Sequence, residues 1–456
     1  MKNQETAQAP EARVHWSSRW GFFLVTVGSA VGLGNLWKFP YMTGSNGGSA
    51  FVLVYLFCIL LIGVPLLMAE TLLGRRGQAS PVGTMRLLVA EAGASKAWLA
   101  IGYIGIMGSF LILSFYSVVA GWVLEYTWQA AGGFAPAPKE AFGQAFSDLL
   151  ANPGRLIFWH TLFMAMTAAV VLGGVTSGIE RANRIMMPRL FLILLFLTGY
   201  GAFAADLPAA FRFLFHFDAA AINRSVLFAA MGHAFFTLSL GMGAIITYGS
   251  YLDRATSIPR ICLQVAVADT LVALLAGLSI FAVVFAQGLE PAAGPGLLLQ
   301  TLPLAFSQMP GGQVVGFLFF VLVVFAAWTS SISLLEPSVT LVVERFGLGR
   351  QVAVLLVTLG IWLLGVAVAL SFNAWSGVTL FGLGFFDLLD TLTSKIMMPL
   401  AGLLIAVFTA WVMQRRHVAD EIGLSGRSFS FWYRVVAFVS PVAIAIIFLN
   451  VIGILG

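Results

Sequence analysis

Apolar residues fall along this chain in long blocks, near 19–42, 50–74, 98–127, 156–175, 185–205, 225–250, 261–287, 313–342, 350–372, 386–413 and 432–455. A helix of about 20 apolar residues crosses the roughly 30 Å hydrocarbon core of a bilayer, and each block reaches that length. The pattern predicts an all-α integral membrane protein with eleven transmembrane helices, numbered here as spans one to eleven. No polar stretch between them exceeds a loop, so residues 1–456 read as one domain. Composition agrees, because a chain that is 60% hydrophobic and 9% charged, with mean hydropathy +0.96, is too apolar for water to be its main solvent. Span one follows a polar, basic N-terminus, but it is too long for a signal-peptide core and leads straight into span two.

Charge then orients the spans. With the N-terminus inside, the cytoplasmic segments hold all of the 24 Lys and Arg residues except Lys38, Lys139, Arg155, Arg212, Arg224 and Lys395. An odd number of spans leaves the C-terminus outside, in the periplasm or extracellular space. The net charge of +5 follows from this topology and asks for no nucleic-acid partner. Cys58 and Cys262 both lie in spans, as small apolar packing groups, and form no disulfide or metal pattern.

Two spans carry residues that weaken a helix where lipid-facing structure has no use for them. Span one contains "SAVGLGNLWKFP" (29–40) and span six contains "FFTLSLGMGAIITYGSY" (235–251), so that Gly241-Met242-Gly243 echoes Gly32-Leu33-Gly34. An unpartnered backbone group in hydrocarbon costs several kcal/mol, and a mid-membrane break survives only where it lines an enclosed cavity. Gly-x-Gly by itself also suits close helix packing. Paired breaks five spans apart, with Asn35 and hydroxyls beside them, instead indicate two five-helix repeats that each open on an interrupted helix. Unwound carbonyls there can hold a hard cation, and half-helix N-termini can meet an anionic group. Glycine lets the chain turn without Cβ strain.

The segments "GSAVGLGNLWKFPY" (28–41), "NGGSAFVLVY" (46–55), "FFTLSLGMGAIITYGSY" (235–251) and "FAAWTSSIS" (325–333) closely resemble signature segments of the neurotransmitter:sodium symporter family, whose bacterial members include the leucine transporter. They occur in order, and the resemblance runs from Arg13 and Trp16 to the last span. It implies a leucine-transporter-type inverted-repeat fold, with 19–205 and 225–413 as the two five-helix repeats, 432–455 as an extra eleventh helix, and 1–18 as a cytoplasmic segment that carries the inner-gate residues. It also implies Na+-driven symport of a neutral, hydrophobic L-amino acid by alternating access.

Residue by residue, the resemblance places one Na+ among Gly28, Val31 and Ala326 carbonyls and the Thr329 and Ser330 hydroxyls. The other would use Ala30, Asn35, Thr237 and Asp269. The leucine transporter carries asparagine where Asp269 stands. A carboxylate in mid-span seven is expensive in lipid and is functional by default, against the alternative of a packed, protonated aspartate. Chloride-dependent relatives would use the positions of Tyr55, His233, Thr237, Asp269 and Ala273; a fixed negative charge at Asp269 would replace the anion, so no chloride requirement is expected. His233 reads either as a hydrogen-bonding group or as a proton carrier.

The substrate carboxylate would meet the Leu33 and Gly34 amides and the Tyr116 hydroxyl, and its ammonium the carbonyls of Ala30, Phe236 and Thr237 and the Ser239 hydroxyl. Ile112, Tyr116, Phe236, Ser239, Met242, Ser330 and Leu334 would form the side-chain pocket. Gly32, where monoamine carriers have aspartate, implies a substrate with its own carboxylate. The apolar lining would leave a charged substrate side chain unpaired. Outer closure would join Lys38 to Asp390, with Asp387 as the other candidate partner; inner closure would join Arg13 to Glu344, with Trp16 and Tyr251 beside them. In span five, Gly178 and Pro188 read either as an end able to unwind or as an ordinary start with proline in the first turn. Glu70 and Glu336 are expected to make structural hydrogen bonds.

No nucleophile, paired aspartates or His cluster in the spans suggests an enzyme. A sensor would need a signalling domain, which neither terminus has room to hold, and a channel would need no hydroxyl-lined ion cages. The remaining alternatives are a carrier of a small zwitterion such as glycine or taurine, or a non-transporting sensor. A bacterial inner membrane and a monomer or weak homodimer complete the expectation.

Overall fold

The computed structural model describes residues 15–292, 294 and 296–451. Nine of its helices are long and apolar enough to cross a membrane: Ser49–Gly77, Lys96–Gly132, Pro153–Leu172, Val175–Ala204, Ile258–Ala286, Gly312–Phe346, Arg350–Leu370, Phe385–Val412 and Gly426–Asn450. Arg19–Ala30 and Gly34–Ser45, bent by 48° at their break, make a tenth together. The expected count of eleven is not reached by helices of span length, because the sixth run folds as Arg224–Thr237 (14 residues) and Ala244–Gly249 (6 residues), neither long enough alone. Among the described residues, extended pairing is limited to one isolated bridge between Leu380 and Leu383.

Burial sorts the spans. In spans two, three, seven and eight, 72–78% of the most apolar stretch is buried inside the protein, against 33–39% in spans four, five, nine and eleven. The second group presents side chains such as Phe203, 94% exposed, and Leu192, 66% exposed. An apolar surface of that extent belongs against lipid tails. The breaks of spans one and six lie within the first, interior set.

The local causes of the breaks are visible. Ser18 caps span one by accepting from Gly21 N, and the helix stops where Val31 turns extended. It resumes as a π turn, Gly34–Lys38, which runs without a break into the α-helical stretch Phe39–Ser45 that holds Pro40. In span six, Asn223 caps the helix start, and Ser239, Gly241 and Gly243 take positive φ values of 54°, 77° and 73°. Glycine tolerates that region freely; Ser239 does not.

Span five begins earlier than its apolar run. A π turn, Val175–Glu180, precedes the α-helix Arg181–Ala204, and Pro188 lies inside that helix rather than in its first turn. The polar residues 175–184 are helical because they are anchored: Glu180, 1% exposed, accepts hydrogen bonds from Ser17 N (3.0 Å), from the Ser17 hydroxyl and from Arg184 Nη2 (2.6 Å). Further charged contacts gather on this Arg-rich face. Arg75 donates to Glu421 Oε1 and to Thr256 O, both at 2.6 Å, tying span two to the linkers that precede spans seven and eleven.

Candidate functional site

The two breaks face each other at the middle of the helix assembly. Ser239 Oγ donates to Ser29 O across the gap at 2.9 Å, and Leu33 N points to the Tyr116 hydroxyl at 3.4 Å. A positive φ on a non-glycine residue costs of order 1–3 kcal/mol and persists only when its surroundings enforce it; the bond to Ser29 is one such enforcement. A second comes from span two, where the buried Glu70 carboxylate accepts from Gly241 N at 2.7 Å. The structural hydrogen bond expected of Glu70 is thus found on the loop that opens span six.

Between the breaks is a tight cavity, with about 30 Å³ open to the centre of a water-sized sphere. Every position expected to touch substrate lies on its wall: Ala30, Gly32, Leu33 and Gly34 from span one, Ile112 and Tyr116 from span three, Phe236, Thr237, Ser239 and Met242 from span six, and Ser330 and Leu334 from span eight. Ser29 and Ser333 line it as well and were not foreseen. Both stand inside the quoted segments, 28–41 and 325–333. No charged side chain lines the cavity. Its polar groups are hydroxyls and main chain.

One cluster of oxygens borders it. Ser330 Oγ lies 3.2 Å from Val31 O and 3.4 Å from both Gly28 O and Ser29 O, and Thr329 Oγ1 lies 3.1 Å from Ala326 O. One hydroxyl proton cannot serve three carbonyls, so this corner carries excess negative potential. Six oxygens around a hard cation at about 2.3–2.6 Å stand about 3.3–3.7 Å from their neighbours. The spacing and donor set fit a monovalent hard cation held without formal charge.

A second cluster lies deeper. Asp269, fully buried on span seven, accepts from Asn35 Nδ2 at 2.7 Å and from Thr237 Oγ1 at 3.0 Å, while Asn35 Oδ1 accepts from Gly32 N at 3.0 Å. Among the described residues no Lys, Arg or His forms an ion pair with Asp269. A buried carboxylate without a cationic partner is costly. Its amide, hydroxyl and carboxylate oxygens are hard donors suited to a small cation. Ala30 stands on the neighbouring cavity wall. The ring of His233 packs 5.4 Å from that of Tyr55 and 5.7 Å from that of Phe39.

At the face opposite the Arg-rich one, Lys38 and Asp390 line a common cavity of about 240 Å³ together with Lys395 and Phe236. They are not joined as an ion pair there. Lys38 Nζ sits 4.1 Å from the centroid of the Phe236 ring, and Asp390 accepts from Ser394 Oγ at 2.8 Å. Asp387 does not line this cavity. On the Arg-rich face, Arg13 lies outside the described residues, and Glu344 accepts from Ser80 N through both oxygens, at 2.8 and 3.0 Å. Trp16 donates to Tyr248 O at 3.1 Å and meets the rings of Tyr248 and Tyr251 edge-on, each at 5.5 Å. Tyr251 in turn donates to Glu336, which also holds Arg350 through two bonds of 2.6 and 2.9 Å. Arg350 was read from the sequence only as a topological charge.

Known proteins resemble this chain in sequence and fold. The profile of the sodium:neurotransmitter symporter family matches residues 13–136 and 141–455. An uncharacterized sodium-dependent transporter of Bacillus subtilis (strain 168), YhdH, is 39% identical over 97% of this chain and 98% of its own. The sodium-dependent dopamine transporter of Bos taurus is 25% identical over 94% of this chain and 67% of its own. The crystal structure of MhsT in complex with L-phenylalanine superposes with a TM-score of 0.88 at 42% identity, covering 96% of this chain and all of that one. The protein is thus an integral membrane transporter with the leucine-transporter-type fold, and it belongs to the sodium:neurotransmitter symporter family.

Proposed function

We propose that the protein imports neutral, hydrophobic L-amino acids, aliphatic or aromatic, by Na+-coupled symport without a chloride requirement. The observation that carries this reading is the cavity between the two breaks, which pairs polar main chain and hydroxyls at one end with Ile112, Phe236, Met242 and Leu334 around them, and has no charged side chain. The L-phenylalanine complex of MhsT supports an amino-acid substrate. The Leu33 and Gly34 amides and the Tyr116 hydroxyl would receive the carboxylate. Carbonyls at Ala30, Phe236 and Thr237, with Ser239 Oγ, would receive the ammonium. A substrate with a charged side chain would leave that charge unpaired.

Na+ would occupy two sites, one at Gly28, Val31, Ala326, Thr329 and Ser330, the other at Ala30, Asn35, Thr237 and Asp269. Asp269 supplies the negative charge that an anion would otherwise bring, so chloride adds nothing. The Arg-rich face would be cytoplasmic, in a bacterial inner membrane, and the Lys38–Asp390 side external. Closure on that side would draw Lys38 from the Phe236 ring to Asp390. Lys38 and Asp390 are both half-buried beside that cavity.

The test is uptake into proteoliposomes of a panel of labelled amino acids, with and without an inward Na+ gradient, in chloride and in gluconate. Accumulation of large neutral amino acids should need the gradient and be equal in the two anions. Uptake confined to glycine or taurine overturns the substrate reading, and loss in gluconate overturns the role given to Asp269.

A further inference from the structure

We infer that Asn183 in span five is a further ligand of the Na+ held between spans one and eight, supplying its side-chain amide oxygen to the cage of Gly28, Val31, Ala326, Thr329 and Ser330. This rests on the Na+ reading above. It starts from an orphan. Asn183 is 1% exposed, and its Oδ1 is fully buried with no hydrogen-bond partner among the described residues. Buried amide oxygens are nearly always paired, and one left alone in a protein interior is costly.

The orientation of that oxygen is fixed. Asn183 Nδ2 donates to Ile179 O, one turn back in the helix, at 2.9 Å. A carbonyl accepts only from the nitrogen end of the amide, so the oxygen is turned away from span five. It points at Gly28. A Cβ built on Gly28 would collide with Asn183 Oδ1 and would stand 3.2 Å from Thr329 Cβ. The oxygen therefore touches the backbone of one expected Na+ ligand and lies beside the side chain of another. Glycine at position 28 leaves the space that the amide oxygen fills.

The cage lacks an oxygen without it. Five are expected, whereas hard cations of this size commonly take six or more. Spans one and eight supply those five, and span five packs against the same corner through a helix whose first turn, Val175–Glu180, is a π turn. Asn183 would thus tie the ion to span five, which packs against both helices of the cage. A neutral oxygen adds coordination without adding charge, in keeping with the rest of the site.

The experiment measures binding rather than transport. Purified full-length protein in detergent is titrated with Na+ at constant ionic strength, with choline as the replacing ion, and thermal unfolding and equilibrium binding of radiolabelled sodium are followed. Asn183→Ala removes both the oxygen and the donor to Ile179. Asn183→Asp removes the donor but keeps an oxygen. Loss of a group that orients or completes a metal shell costs about tenfold to a hundredfold in affinity. The half-saturating Na+ concentration should rise by that factor in Asn183→Ala and stay near the wild-type value, or fall, in Asn183→Asp.

Thr329→Ala serves as the reference for the same ion. If Asn183 and Thr329 hold one Na+, the double variant should be little worse than Thr329→Ala alone, since coupled groups are not additive. The proposal is overturned if Asn183→Ala binds Na+ as the wild type does, or if Asp and Ala variants weaken binding equally, which marks a purely structural amide. Should the wild type itself show no response to Na+ in either measurement, the sodium reading fails and this inference falls with it.

Discussion

Replacing Gly32 by alanine is expected to abolish solute binding. The backbone at this position is compatible with alanine, since its φ is not positive, so the effect comes from space. A Cβ on Gly32 would stand 2.5 Å from Ser330 Oγ and 3.1 Å from Tyr116 Oη. Neither neighbour can retreat without cost. Ser330 Oγ is held among the carbonyls of Gly28, Ser29 and Val31, and turning it away takes one hydroxyl out of the oxygen cluster proposed to hold Na+. Tyr116 is buried, and its hydroxyl meets Leu33 N. One methyl group would therefore fill the end of the cavity proposed for the carboxylate and disturb the adjoining proposed Na+ site together. A loss of at least about 100-fold in affinity, near 2.7 kcal/mol, is expected for labelled L-phenylalanine by equilibrium binding. The Na+-dependent gain in thermal stability should shrink in parallel. Binding within a few-fold of wild type would show that the space between Gly32 and Ser330 is not where the solute sits.

That expectation could be formed because helix breaks are legible in a sequence. Gly32-Leu33-Gly34 and Gly241-Met242-Gly243 stand out against their apolar surroundings, and hydrocarbon tolerates no unpaired backbone that does not line a cavity. The wall residues of spans one and six lie in or beside these two motifs, and the resemblance to the symporter family supplies Ile112 and Tyr116 on span three and Ser330 and Leu334 on span eight. What stayed hidden has a common physical cause. Ser29, Ser333 and Asn183 face the site through the phase and packing of their helices, and a polar residue in a polar or serine-rich stretch carries no hydropathy signal. The start of span five was placed too late for the same reason. Its apolar run begins at 185, and residues 175–184 join the helix because Glu180 holds Ser17 and Arg184. The resemblance to the symporter family implied Lys38 on Asp390, and the structure places its ammonium over Phe236. The breaks obey a rule of the solvent, whereas these contacts depend on which surfaces meet, which one strand of sequence does not state.

Glu336 provides the largest expected loss of stability. It is fully buried on span eight, accepts two bonds from Arg350 and one from Tyr251 Oη, and so ties span nine and the inner end of span six to the helix that carries Thr329 and Ser330. Arg350 keeps only Val171 O as a further acceptor. Glu336→Met would leave a guanidinium facing apolar side chains, and breaking a buried pair from one side costs about 3–5 kcal/mol. Because the Arg350 side chain is 27% exposed, solvent recovers part of this, and about 2–4 kcal/mol is expected. Arg350→Met should cost a similar amount, since it leaves a carboxylate in the interior with Tyr251 alone. Removing both charges should cost less than either loss doubled, because the penalty belongs to the unpaired partner rather than to the pair. Thermal or denaturant unfolding of the two single variants and the double variant measures this coupling. Single-variant losses below about 1 kcal/mol would place the pair with surface ion pairs. A large coupling would instead show that Glu336 and Arg350 fasten span eight to span nine as a buried pair.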